Sequence, residues 1–212
     1  MEFREAIQDY AGQPITKQIL LDLLKKYKRP YDKIHELVKQ EILILVKRGI
    51  YIPGPKLNII NPEPFLIANQ LLGPSYISLD TALSHWGLIP ERVYEISSVT
   101  ANKSKTYKTP IGRFSYTHLR FPYYSLGIQR IELAQNQIAL IASPEKALCD
   151  KIITTSGLLL RSSKQVLELL IDDLRMEKEA LRNLNNREID KWLIDAPKKA
   201  SISILIKSLK KL

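Results

Sequence analysis

The sequence is poor in the residues that build disulfides and soft-metal sites. It holds one cysteine, Cys149, and three histidines. A single cysteine excludes an internal disulfide framework. His35, His85 and His118 are scattered, so no Cys/His zinc site, and no other metal or cofactor, is expected. The eight glycines are unclustered and offer no phosphate-cradling loop. Long apolar runs are missing too. No stretch of about 18 apolar residues occurs, so no transmembrane helix and no membrane partner are expected. Met1-Glu2-Phe3-Arg4-Glu5 lacks the apolar core of a signal peptide. A reducing, cytoplasmic setting is the resulting expectation.

What remains is the balance of a folded chain. Of 212 residues, 45% are hydrophobic and 25% charged, which supplies a core and argues against wholesale disorder. The formal net charge of +10 favours an anionic partner. It is unevenly spread. Residues 1–60 carry 11 Lys/Arg against 7 Asp/Glu, residues 61–150 carry 8 against 7, and residues 151–212 carry 13 against 8. A nucleic-acid site therefore belongs at an end rather than in the middle.

Hydrophobic periodicity predicts three helices first. Phe3, Ile7 and Tyr10 share a face of a helix over 3–11. Ile19, Leu20, Leu23, Leu24 and Tyr27 form the stripe of a second, over 15–27. Pro30 suits the first turn of a third, over 31–40. Ile42 to Val46 and Ile50 to Ile52 are continuous apolar runs and read as strands, joined by a turn at Lys47-Arg48-Gly49. Pro53 to Pro64 holds four prolines and one glycine. We read residues 1–55 as one domain, 56–64 as a Pro-rich linker and 65–212 as a second domain.

That second part mixes the two periodicities. Helices are expected over 67–72, over 79–86 with Ser78 as cap, and from a Ser143 cap to about Ile153. Strands are expected over 93–100, 112–121, 129–133 and 137–141, with 101–110 as a loop or hairpin end. Three apolar stripes from Val166 to Leu209 predict closing helices. The fold class is α+β.

Three helices followed by a hairpin with a basic turn is the order of a winged helix-turn-helix, whose third helix enters the major groove of DNA. On that reading Tyr31, Lys33, His35, Glu36 and Lys39 face the duplex. Arg29 sits at the helix start, and Lys47 and Arg48 occupy the wing tip. Phosphate contacts supply affinity, while Tyr31, Lys33 or His35 supply specificity. Asp32 and Glu36 would repel phosphate. Lys103, Lys105 and Lys108, around Tyr107 in a nearly neutral region, form a second candidate contact. Tyr116, Tyr123 and Tyr124 suit either base stacking or sheet packing. Asp172-Asp173 reads as a solvated face, and no catalytic set is visible by spacing, so an enzyme is not expected.

Four stretches carry a resemblance: Ser75-Tyr76-Ile77-Ser78-Leu79-Asp80-Thr81-Ala82-Leu83, Gly87-Leu88-Ile89-Pro90, Val93 to Thr100, and Ser143-Pro144-Glu145-Lys146-Ala147-Leu148-Cys149-Asp150. With Arg113-Phe114-Ser115-Tyr116 between them, the chain resembles the AbiEi-type antitoxins of type IV toxin–antitoxin systems, regulators of viral defence. The resemblance implies an N-terminal domain that represses its own operon by binding promoter repeats. It also implies a C-terminal domain that counteracts a nucleotidyltransferase-like toxin, without requiring a stable complex. It transfers no catalytic residues. A short wing and a Lys-rich second helix depart from the pattern. The alternative is a protein-interaction module that keeps a winged helix only as scaffold.

Overall fold

A computed structural model describes residues 3–212. Met1 and Glu2, which open the stretch weighed against a signal peptide, lie outside the described residues. The molecule is a mixed α+β structure.

The first expected helix breaks in two, α1 (Phe3–Ala6) and a 3-10 turn (Gln8–Tyr10), around a fully buried Ile7. The second starts later than its periodicity suggests. Ile15–Thr16 is a short strand, β1, and helix α2 covers Lys17–Leu23. Thr16 explains the boundary. Its backbone is extended and its hydroxyl accepts from the Ile19 N–H at 3.3 Å, so it caps the helix from outside. Helix α3 spans Pro30–Lys39 with proline in its first turn, as expected. Strands β2 (Leu43–Lys47) and β3 (Ile50–Pro53) follow, and the three strands form an antiparallel sheet of order β1-β3-β2. Arg48-Gly49 make the turn. Gly49 has φ +90°, a conformation that side chains with a Cβ rarely adopt.

This small sheet is covered on both faces. Ile15, Leu43 and Tyr51 join Leu20, Leu24, Ile34 and Leu37 in one apolar cluster. Val46 and Ile52 belong instead to the larger core built by the rest of the chain, with Ile44 and Ile50 packed against it. Hence β2 and β3 read as unbroken apolar runs rather than alternating ones.

The stretch expected as a linker is hydrogen-bonded at several points. Gly12 N–H donates to the Ile60 carbonyl at 2.8 Å. The Glu63 N–H donates to Gln137 Oε1 at 2.7 Å, and Gln137 Nε2 donates to the Asn61 carbonyl at 3.2 Å.

Helix α4 (Pro64–Leu71) leads into a six-stranded mixed sheet. Its strands are β4 (Ser75–Ile77), β5 (Ile96–Thr100), β6 (Lys105–Thr109), β7 (Gly112–His118), β8 (Ile128–Glu132) and β9 (Ile138–Ala142), in the order β6-β7-β5-β4-β9-β8. Between β4 and β5 lies helix α5 (Leu79–His85), and after β9 comes α6 (Pro144–Thr154). Neighbouring residues of a strand point to opposite faces. So Tyr76 reaches α6, while Tyr116 donates to the Ala68 carbonyl of α4 at 2.6 Å. Helices therefore cover both faces of the central strands. Tyr116, Tyr123 and Tyr124 are all buried, which settles them as packing residues rather than exposed stacking platforms. The basic segment 101–110, read as loop or hairpin end, contains the edge strand β6, paired with β7 from Lys105–Tyr116 to Thr109–Gly112.

The C-terminal stripes become α7 (Ser163–Leu167) continued by a π-helical stretch (Glu168–Asp173), α8 (Lys178–Arg182), α9 (Asn186–Trp192) and α10 (Lys199–Leu209). Their apolar sides, including Val166, Leu170, Ile189, Ile202 and Leu205, close the large core.

Candidate nucleic-acid interface

The exposed face of α3 carries Tyr31, Asp32, His35, Glu36 and Lys39, and the opposite side buries Ile34 and Leu37. Arg29, at the helix start, has a side chain 85% exposed. Five of the six residues expected on this helix and its start, Arg29, Tyr31, His35, Glu36 and Lys39, are thus open to solvent. Lys33 is the correction. Only 24% of its side chain is exposed, because it turns toward Tyr27 in the connection between α2 and α3. There its ammonium lies 5.5 Å from the Tyr27 ring centre and 2.9 Å from Glu36 Oε2.

That turn has an electrostatic consequence. The Lys33 hydrogen bond holds the Glu36 carboxyl below its ordinary value, and Gln40 Nε2 donates to the other oxygen at 2.9 Å. Asp32 lies 3.7 Å from Arg29. Both acids on the face that would repel a phosphate therefore have a local cation.

Lys17 is a residue that the sequence reading missed. Its backbone N–H donates to the Gly49 carbonyl at 2.9 Å, and its ammonium sits 5.5 Å from the Tyr31 ring centre. It thus touches both the wing turn and the start of α3. The dimensions agree with this. The ten residues of α3 span about 15 Å outward. The five of β2 return about 16 Å. The start of α3, Lys17 and Arg48 gather at one end, with Lys39 at the other. The missing signal was the β1–β3 pairing, because two-residue strands leave no periodicity to read.

Lys47 reaches the wing tip but not as a free cation. Its ammonium donates to the Leu71 carbonyl at 2.7 Å and lies 4.9 Å from the Tyr107 ring centre. Lys105 approaches the same ring at 5.0 Å. The two basic groups singled out separately, the wing and the β6 segment, therefore meet at one tyrosine. Lys103, Lys105 and Lys108 are exposed.

The most distinctive sequence motif resolves to the core. Lys146 and Asp150, four residues apart on α6, form an ion pair of 3.0 Å with both side chains fully buried. Tyr76 and Ser78 donate to Asp150 Oδ2 at 2.9 and 2.8 Å. Lys146 also donates to the Tyr123 carbonyl at 2.9 Å. Burial pulls the Lys146 ammonium down and pushes the Asp150 carboxyl up, and each charge opposes the other's shift. Ser78 thus does not cap α5 as expected; its hydroxyl goes to Asp150 instead. Ser143 does cap α6, accepting from the Lys146 N–H at 3.2 Å. Cys149 is buried beside this network, and burial pushes its thiol far above the ordinary value. These groups have no access to a substrate, so their chemistry is structural.

Among the described residues, no group of three or more His, Cys, Asp or Glu is placed to hold a metal ion. No described helix is long and apolar enough to cross a membrane. Compared with known proteins, the chain matches no family model and no curated protein.

Proposed function

We propose that the protein is a DNA-binding transcriptional autorepressor and antitoxin of the AbiEi type. Residues 3–55 act as a winged helix-turn-helix, α3 as the recognition helix and β2–β3 as the wing. The observation that carries this reading is the convergence at Lys17 of the α3 start and the wing turn. One end of the domain then offers Arg29, Tyr31, Lys17 and Arg48 to a duplex, with both facing acids locally paired. Arg29, Lys17 and Arg48 meet phosphates. Tyr31 and His35 are the side chains free to reach base edges, since Lys33 is committed to Glu36. Lys39, Lys103 just before β6, and the β6 lysines Lys105 and Lys108 extend the basic surface beyond the groove. In this proposal the second part of the chain counteracts a nucleotidyltransferase-like toxin in a cytoplasmic setting.

The test separates the roles. Arg48→Ala should weaken binding to all sequences alike and lower the salt slope by about 0.9, the share of one phosphate. Tyr31→Ala or His35→Ala should change the ranking among operator variants instead. Uniform loss at all three positions would contradict the assigned reader. One observation favours a second reading, the winged helix as scaffold: the outer face of its sheet is packed into the larger core. Selective DNA binding by the full chain would exclude it.

A further inference from the structure

The wing hairpin is irregular at the point where it meets the rest of the chain. Leu45 stands opposite Tyr51, yet Lys47 stands opposite Ile50, so Val46 is an extra residue. Such a bulge re-aims the side chains that follow it. Val46 enters the large core, and Lys47 next to it reaches the C-terminal end of α4. The Leu71 carbonyl it meets is one of the last in that helix, where the helix dipole favours a cation. Tyr107 closes the site from β6, its own ring held edge-on by Tyr116 at 5.9 Å. Arg48, one residue on, has no such tie among the described residues and is exposed.

We infer that Lys47 is a positioning residue, a lock that fixes the wing on α4 and β6 so that Arg48 is presented in one orientation. This rests on the DNA-reader proposal for its functional meaning, but the lock is a property of the fold and can be tested without DNA. The sequence reading gave Lys47 and Arg48 the same job at the wing tip. The geometry separates them: Arg48 meets the partner, and Lys47 holds the element that carries Arg48.

The experiment uses the full chain in four forms, wild type, Lys47→Met, Tyr107→Leu and the double variant. Lys47→Arg serves as the conservative rescue. The first readout is thermal unfolding without DNA. The lock predicts that the two single substitutions are not additive, because each breaks the same contact. Additive losses would overturn it. The second readout is the slope of log affinity against log salt on the operator. A positioning role leaves the slope at its wild-type value in Lys47→Met, while affinity falls roughly three- to tenfold. Lys47→Arg should restore most of that loss. A slope reduced by about 0.9 would make Lys47 a phosphate contact and overturn the inference. If the wild type binds no DNA, the proposed function fails, and the unfolding cycle alone decides the lock.

Discussion

At the scale of the residue, the chain separates charges that contact from charges that hold. Lys146 and Asp150 are the clearest holders. A buried ion pair is not by itself strongly stabilising, because desolvation offsets much of the Coulomb attraction, but removing one partner strands the other. Lys146→Met should therefore cost about 3–5 kcal/mol in urea unfolding, because the buried Asp150 keeps its hydrogen bonds from Tyr76 and Ser78 but loses its counter-charge. The double change Lys146→Met/Asp150→Leu should recover a large part of that loss. A double variant as unstable as the single one would show that the two donors from Tyr76 and Ser78, rather than the charge pair, carry the network. This also explains why the motif Ser143 to Asp150 stands out in the sequence without serving catalysis. Its polar residues are spaced to meet one another inside the core, Lys146 and Asp150 at i, i+4 and Ser143 at the cap. The chemistry of Ser78 was misread because capping is a local expectation, whereas its acceptor lies 72 positions along the chain.

At the scale of the element, local signals located what local physics decides. The helix start at Pro30, the turn at Arg48-Gly49, the β8–β9 hairpin and the capped start of α6 all follow from turn chemistry or periodicity within a few residues. β1 and β4 were not legible, because strands of two and three residues are defined by partners far away. β6 was hidden for another reason. An edge strand rich in lysine looks like a solvated loop, and its charges are the kind that keep sheet edges from pairing with other chains. The unbroken apolar character of β2 and β3 was visible, but its meaning was not, since a second core on the outer face cannot be read from one strand. A Cβ on Gly54 would lie 2.0 Å from the Glu41 carbonyl oxygen, and the backbone there is already tied by the Gly54 N–H to Ile42 bond of 2.8 Å. Gly54→Ala must therefore spread the hairpin base from the α3–β2 turn. Circular dichroism melts should show a loss of more than about 1 kcal/mol, whereas a change within about 0.5 kcal/mol would mean that the turn yields freely.

At the scale of the whole molecule, the central feature is that the small sheet serves two cores at once. Its inner face completes the helical cluster of residues 3–55, and its outer face is built into the larger α+β core. A wing attached in this way is not an independent flap, and the basic groups of β6 are brought beside it through Tyr107. The charge arithmetic pointed to the two ends of the chain. The fold adds a contribution from the middle, because β6 carries its lysines to the wing. The central question is whether this surface reads DNA. The deciding measurement is a fluorescence anisotropy titration of the full chain against DNA from immediately upstream of its own gene, beside a scrambled duplex, at three salt concentrations. A DNA-reading surface should give selective binding to the upstream DNA, with log affinity falling linearly in log salt at about 0.9 per neutralised phosphate. Equal, weak binding to both duplexes, or binding indifferent to salt, would contradict it.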